Sequence, residues 1–179
     1  MLLDDCKLLG LKVLPPDINS SFYEFRNIDN ETLMYGLGAI KGVGKSAIES
    51  IIDNRNSKGS FETLSDFSSR IDTEKVGKRA LEPLIASGSM DSLQSSREEM
   101  FVNIESALKF ARQVSEEKKS GIDDLFGDVE LPNIIPIKKA KSIEFDKSLG
   151  ELNSLGFYLS CHPMDEYKWE IEEICPNRI

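Results

Sequence analysis

The short run Ile40-Lys41-Gly42-Val43-Gly44 constrains this chain more than any other feature of its sequence. Two glycines one residue apart let the backbone reverse with positive φ and let the atoms of another molecule approach it closely. The apolar residues 47, 48, 51 and 52 then share one face of a helix, which we expect to begin near Lys45. The first turn of such a helix offers unpaired N–H groups and the positive end of its dipole, which together favour a phosphate.

Three interpretations of this run stand side by side. The first is a tight turn between two helices that holds no ligand. The second is a nucleotide-binding P-loop, because residues 39–46 end in Gly-Lys-Ser, although Ala39 stands where that signature has its first glycine. The third is the DNA-binding helix-hairpin-helix, whose hairpin has the form apolar-x-Gly-apolar-Gly. The residues match the third form at each position, and they predict that the DNA backbone is contacted by Lys41, Gly42, Val43, Gly44, Lys45 and Ser46.

A second, degenerate copy of the motif follows in the sequence. A helix ending near Ile85, the turn Ser87-Gly88-Ser89-Met90 and a helix from Ser96 repeat the order helix, glycine turn, helix. Taken alone, Gly88 is an ordinary helix C-cap. After a first hairpin it predicts a second contact with the duplex, made by Gly88 and by Arg97 at the next helix start.

The rest of the chain predicts a mainly α fold. We expect a tandem helix-hairpin-helix bundle with a small β-hairpin on its N-terminal side and an extended C-terminal linker. The abrupt end after a new element looks like a piece cut from a longer chain. The predicted elements are a helix stopped by Gly10, an extended run at 12–14, a β-hairpin from 22–28 and 32–35, helices at 63–71, 74–87 and 96–117, a charged linker at 116–141, a helix from 143 to 152 and an extended run at 156–159.

Composition narrows the class of protein. The net charge is -9, yet residues 35–60 hold four basic and two acidic side chains and are the net-positive stretch. An acidic chain can still bind DNA through a local patch, although weak long-range steering is expected. No apolar run approaches the ~20 residues of a membrane span, and the acidic start is unlike a signal peptide, so we expect no membrane partner and a cytoplasmic protein. The three cysteines are scattered and suit reduced thiols better than a zinc site.

Four strings of the sequence resemble the alpha subunits of bacterial DNA polymerase III. They occur in the same order as in that family and together span nearly the whole chain. The strings are Leu9-Gly10-Leu11-Lys12-Val13-Leu14-Pro15-Pro16-Asp17-Ile18-Asn19, Tyr35-Gly36-Leu37-Gly38-Ala39-Ile40-Lys41-Gly42-Val43-Gly44, Leu84-Ile85-Ala86-Ser87-Gly88-Ser89-Met90-Asp91 and Gly156-Phe157-Tyr158-Leu159-Ser160-Cys161-His162-Pro163.

The resemblance implies a division of the chain and a role for each part. Residues 1–36 would close the fingers domain, 37–113 would form the tandem helix-hairpin-helix domain, 114–142 a linker, and 143–179 the start of an oligonucleotide-binding (OB) domain. The parent enzyme would be a DNA-directed DNA polymerase that uses Mg²⁺ held by aspartates of a palm domain upstream. This segment itself would carry no catalytic residue, no metal ligand and no cofactor.

The resemblance also implies a peptide in the linker that binds the sliding clamp, the beta subunit. The matching residues are Ile122, Asp123, Asp124, Leu125 and Phe126, with Ile122 where the family typically has glutamine. Two adjacent large apolar residues in a polar linker have no core to enter and so invite the pocket of a partner. Duplex DNA, the clamp and other holoenzyme subunits are therefore the expected partners. A P-loop nucleotide hydrolase and a purely structural connector remain the alternatives.

Overall fold

A computed structural model describes residues 5–6, 8–120, 145–160, 162–167, 169–170 and 173 of the chain. Within this part, six α-helices surround one hydrophobic core, and a three-stranded sheet lies at the N-terminal side. The predicted fold class, mainly α with a small β element, is confirmed. None of the helices in the described part is both long and apolar enough to cross a membrane.

The N-terminal region forms a small mixed sheet. A helical turn ends at Gly10, whose φ is +75°, as the sequence predicts. Strands β2 (Arg26–Asn27) and β3 (Thr32–Met34) form the predicted antiparallel hairpin. Strand β1 (Lys12–Leu14) pairs in parallel with β3, so the sheet order is β1-β3-β2. The pairing of β1 was not predicted, because a parallel partner is chosen by tertiary packing and leaves no local signal.

Three helices follow a 3₁₀ turn at Leu37–Ala39: α1 (Lys45–Lys58), α2 (Leu64–Arg70) and α3 (Lys78–Ala86). The first two agree with the prediction. Helix α3 begins at Lys78 rather than at Glu74, which is a correction. Asp72 holds the intervening segment in a turn, because its carboxylate accepts from the amide of Glu74 and its carbonyl oxygen accepts from the amides of Lys75 and Val76.

The single helix predicted for residues 96–117 is two helices, α4 (Arg97–Val102) and α5 (Ile104–Ser120). The break falls at Asn103, which is fully buried and whose side-chain amide donates to the carbonyl oxygen of Glu99 at 2.7 Å. A side chain that bonds its own helix in this way competes with the regular backbone ladder. The predicted apolar stripe nevertheless faces the core, with Met100, Ile104 and Ala107 buried.

Helix α6 (Lys147–Leu155) packs on α3 and adds Leu155 to the core. It ends at Gly156, whose left-handed conformation caps it. The residues after it, predicted to be extended, form no strand in the described part of the chain. The division of the chain into domains stays a prediction, but α6 shares its core with the helices of the predicted DNA-binding domain. Residues 121–144, which include most of the predicted linker, lie outside the described residues.

The core is built around α3, which packs against α4, α5 and α6. Helix α2 packs against α5 on the far side of the same core. Most of the largest side chains that are almost completely buried come from α1 to α4 and from the segments that connect them. They include Phe61, Phe67, Ile48, Leu81, Leu84 and Met100.

A buried ionic cluster joins α4 to α6. The side chain of Arg97 is 7% exposed and that of Glu151 is 1% exposed; Arg97 donates from Nη2 to Asp91 at 2.6 Å and from Nη1 to Glu151 at 3.1 Å. Burial alone would raise the pKa of Glu151, but hydrogen bonds from Ser160, Leu159 and Arg97 outweigh it and hold that pKa below its ordinary value. Burial likewise opposes the charge of Arg97, yet its two carboxylate partners leave its pKa raised. Both groups therefore stay charged inside the protein.

Removing one partner of this cluster should be costly. We expect Arg97→Met to lower the free energy of unfolding by about 3 kcal/mol, since Glu151 would remain buried without its cationic partner. The control is Arg112→Met on the exposed face of α5, which should change it by less than about 0.5 kcal/mol. Urea unfolding followed by circular dichroism measures both variants. Equal effects of the two substitutions would contradict a structural role for the cluster.

Candidate nucleic-acid interface

The first glycine run forms an exposed hairpin, residues 40–44, called hairpin 1. Gly42 has φ +89°, a conformation that L side chains rarely adopt. Ile40 is 2% exposed and Val43 packs against the core, so the two apolar residues anchor the hairpin while the glycines lie at the surface. The local sequence thus explains the shape.

The helix that follows hairpin 1 begins with open amides. Gly44 is its N-cap, in an extended conformation, and has no side chain to cap the helix. Its carbonyl oxygen accepts from the amides of Ala47 and Ile48 at 3.1 and 3.2 Å. The amides of Lys45 and Ser46 have no acceptor among the described residues, and both residues are exposed. With the positive end of the helix dipole behind them, these amides can receive an anion.

The two predicted lysines, Lys41 and Lys45, are both exposed. The Lys45 side chain is 66% exposed, with its ammonium 3.7 Å from a carboxylate oxygen of Glu49 and 5.5 Å from the ring centre of Tyr23. The ammonium of Lys41 lies close to Gly156, at the end of α6. An exposed pair of this kind is weak, so Lys45 is available for a phosphate.

The structure reveals a repeat of this helix start that the sequence reasoning missed. Residues 76–85 follow the pattern of residues 43–52, with identical residues at six of these positions. The matched segments are Val43-Gly44-Lys45-Ser46-Ala47-Ile48-Glu49-Ser50-Ile51-Ile52 and Val76-Gly77-Lys78-Arg79-Ala80-Leu81-Glu82-Pro83-Leu84-Ile85. A comparison of the chain with itself would have found this signal.

The repeated segment has the same geometry. Gly77 is an extended N-cap without a side-chain cap, and its carbonyl oxygen accepts from the amides of Ala80 and Leu81 at 3.0 and 3.1 Å. The amides of Lys78 and Arg79 have no acceptor within the described ranges, and both side chains are exposed. The turn between α2 and α3, residues 71–77, is therefore hairpin 2, and the chain has two similar helix starts.

Among the α-helices whose N-caps are described, glycine caps are confined to α1 and α3. The other caps are side chains of the chain itself: Thr63 accepts from the amide of Asp66, Ser96 from that of Glu99 and Asp146 from that of Leu149. Helices α2, α4 and α6 thus each have a side chain of the chain itself in front of the first turn. Helices α1 and α3 have none, which leaves the space in front of their first two amides open to an external acceptor.

The turn predicted as the second DNA contact, residues 87–90, is buried, which corrects that prediction. Ser87, Ser89 and Met90 are at most 1% exposed, and the hydroxyls of both serines donate to the carbonyl oxygen of Leu84. The amide of Gly88 donates to Ile85, and Gly88 has the positive φ of a C-cap. A polyanion has no route to this turn, so Gly88 ends a helix and is not part of the interface.

Arg97 was also predicted to contact DNA, and the structure corrects this prediction. It is 6% exposed and its guanidinium is shared between Asp91 and Glu151, so it cannot meet a phosphate without breaking the buried cluster. Of the predicted residues, the structure brings Lys41, Gly42, Val43, Gly44, Lys45 and Ser46 together at hairpin 1. The predicted clamp-binding residues 122–126 lie outside the described residues.

The P-loop alternative finds little support in the geometry. Strand β3 is central in the sheet and parallel to β1, but it spans three residues and ends at Met34. The 3₁₀ turn at Leu37–Ala39 separates it from Gly42. A P-loop instead joins a strand directly to its phosphate-binding helix.

A sequence model of the helix-hairpin-helix motif matches residues 10–100, about half of the chain. This agrees with two hairpins that each precede a helix with open amides. The chain belongs to the helix-hairpin-helix family.

Nearly the whole chain is also similar to proteins named DNA polymerase III subunit alpha, as the four sequence strings predicted. It is 41% identical to that of Vibrio cholerae serotype O1 over 182 residues, 99% of this chain and 16% of the relative. Identity to that of Escherichia coli K12 is 42% over 175 residues, 96% and 15% of the two chains. For Pseudomonas aeruginosa the identity is 35% over 198 residues, 99% and 17%. The chain therefore spans only 15–17% of the length of these relatives.

The two glycines of hairpin 1 should respond differently to the same substitution. Gly42→Ser should lower the free energy of unfolding by about 1–2 kcal/mol, the cost of a left-handed non-glycine residue. Gly44→Ser should cost nothing, because φ is -74° there, nothing lies within 4 Å of an added Cβ, and serine is a good N-cap. Urea unfolding of both variants tests this. If the two substitutions lower the free energy of unfolding equally, the positive φ of Gly42 is not what makes glycine necessary there.

Proposed function

We propose that this chain binds duplex DNA through its sugar-phosphate backbone, without reading sequence. The observation that supports this most strongly is the pair of glycine-capped helix starts, at Gly44 and Gly77, each with open amides and basic side chains. A single hairpin holds only a few phosphates, whereas two of them can contact both strands of a duplex. Backbone amides and lysines fix register on the phosphates and carry no base-edge readout.

The similarity to DNA polymerase III alpha subunits supports a role in DNA replication. We infer that the chain is a part of a DNA-directed DNA polymerase, holding the duplex while chemistry takes place elsewhere in the enzyme. The Mg²⁺ ions of nucleotidyl transfer would then be bound outside these residues. Such a role also implies the bacterial cytoplasm and contact with other subunits of the polymerase holoenzyme.

A charge placed at the helix start separates DNA binding from folding. Gly44→Asp and Gly77→Asp introduce a favourable N-cap, so the melting temperature should be kept or raised. The new carboxylate occupies the open amides and repels phosphate, so each variant should bind a labelled duplex about 10–100-fold more weakly. Fluorescence anisotropy at low salt measures the affinity.

The control for these variants is Asn56→Asp, which adds the same charge near the other end of α1, at an exposed position. It should bind DNA nearly as the wild type does. Wild-type affinity should fall steeply with salt and be the same for unrelated sequences. No affinity at low salt would leave a structural connector, and binding of labelled ATP with Mg²⁺ would instead favour the nucleotide hydrolase. Equal weakening by Asn56→Asp would contradict the assigned sites.

We also propose that residues 122–126 bind the sliding clamp. This rests on the apolar pair Leu125-Phe126 within a charged stretch and on the resemblance of the segment to a clamp-binding peptide. The acidic residues Asp123 and Asp124 separate the pair from Ile122.

Substitutions in this segment should change clamp binding in both directions. Leu125→Ala with Phe126→Ala should abolish binding to the cognate clamp in surface plasmon resonance, because the apolar anchors are lost. Ile122→Gln should strengthen it, since the amide restores a hydrogen-bonding group. DNA affinity should be the same in all variants. Clamp binding that survives the double substitution would remove the assignment.

A further inference from the structure

Helix α6 contacts hairpin 1 at Lys41. The amide of Lys41 donates to the carbonyl oxygen of Ser154 at 2.8 Å. The ammonium of Lys41 lies 3.0 Å from the point where a Cβ on Gly156 would be, beside the carboxyl end of the same helix. A cation at that end is favoured by the helix dipole. One side of hairpin 1 is therefore built on residues more than a hundred positions further along the chain.

Helix α6 is in turn fixed by Glu151, which is completely buried. One carboxylate oxygen accepts from Arg97 and from the hydroxyl of Ser160. The other accepts from the amides of Leu159 and Ser160 at 2.7 and 2.9 Å. This one side chain thus joins α6 to α4 and holds the chain segment that leaves α6.

The packing of α6 leaves it little freedom to move on its own. A Cβ at Gly150 would lie 3.2 Å from the carbonyl oxygen of Ala86, so the backbones of α6 and α3 are in close contact. Leu155 is buried in the core, and the ring of Phe157 lies 5.8 Å from that of Tyr35. A shift of α6 would therefore move the carbonyl oxygen of Ser154, which accepts from the amide of Lys41.

We propose that Glu151 is a positioning residue for DNA binding, which acts through α6 on the backbone of hairpin 1. The proposal rests on the proposed DNA-binding function. Glu151 does not touch DNA; it keeps the Lys41 amide bonded to Ser154 and so presents the open amides of the next helix in a fixed direction. Because coupling between sites is reciprocal, DNA held at hairpin 1 also stabilises the docking of residues 156–160.

The test uses the full 179-residue chain with Glu151→Gln, which keeps the shape of the side chain but replaces an acceptor by a donor. Asn153→Ala, exposed on the same helix, is the control. Hydrogen exchange of the Lys41 amide is measured by NMR without DNA, with the Phe67 amide of α2 as an internal reference. In Glu151→Gln we expect exchange at Lys41 to rise about tenfold more than exchange at Phe67, which reports any loss of global stability. Affinity for duplex DNA should fall roughly fivefold to tenfold, with the salt dependence of the wild type.

Reciprocity supplies a second readout in the wild type. Addition of a DNA duplex should slow exchange of the Leu159 and Ser160 amides, which donate to Glu151, and this slowing should be lost in Glu151→Gln. The Asn153→Ala variant should show it in full.

The outcomes separate this proposal from the DNA-binding function. Unchanged exchange at Lys41, or an equal rise at Phe67, overturns the positioning role whatever happens with DNA. Faster exchange at Lys41 with unaltered DNA affinity, while Gly44→Asp weakens binding, overturns the coupling alone. If neither Gly44→Asp nor Glu151→Gln alters binding, the DNA-binding function fails and the coupling fails with it.

Discussion

The interface depends on two helix starts whose first two amides have no acceptor among the described residues. Other helices have a cap side chain at this position, since Thr63, Ser96 and Asp146 each accept from the third amide of their helix. Glycine at positions 44 and 77 supplies the required extended backbone and nothing more. The burial of the apolar residues around each glycine keeps this arrangement rigid, because Ile40 and Val76 are almost fully enclosed. An unsatisfied helix start at the surface is then a preorganised place for an anion.

Local sequence patterns predicted most of the helices and strands. Which residues belong to the interface depended instead on relations between residues far apart in the sequence. Hairpin 1 and α1 followed from glycine spacing and helical periodicity. The second hairpin was wrongly predicted at Gly88. A glycine that caps a buried helix end and a glycine in an exposed hairpin both adopt a positive φ, so the residue type does not distinguish them. Gly77 has an ordinary φ of -96°, so its role was carried by the repeated pattern around it and not by its conformation. Arg97 was predicted to contact phosphate because the local sequence does not show its partner. That partner, Glu151, lies in a helix far along the chain.

Residues 121–144 were predicted to lie mostly in a linker between two domains. The helices on either side of this segment instead pack on the same core. Helix α5 before it packs on α2 and α3, and α6 after it packs on α3. Both ends of the segment are therefore anchored on one folded unit. The proposed clamp-binding residues begin two positions after the last residue of α5. Under the proposed function, the clamp and the duplex are bound by segments that are attached to one folded unit.

This arrangement fits the charge of the chain. With a net charge of -9, the chain gives duplex DNA no general electrostatic attraction, and binding has to come from short-range contacts at the two helix starts. Under the proposed function, such contacts would be few and indifferent to sequence, so a duplex could slide past them. Their weakness is offset when a partner that encircles or holds the same duplex keeps it nearby, since the second contact then becomes intramolecular at a high effective concentration. Under the proposed function, an acidic surface with two small phosphate sites would suit weak binding that allows the duplex to be released and bound again.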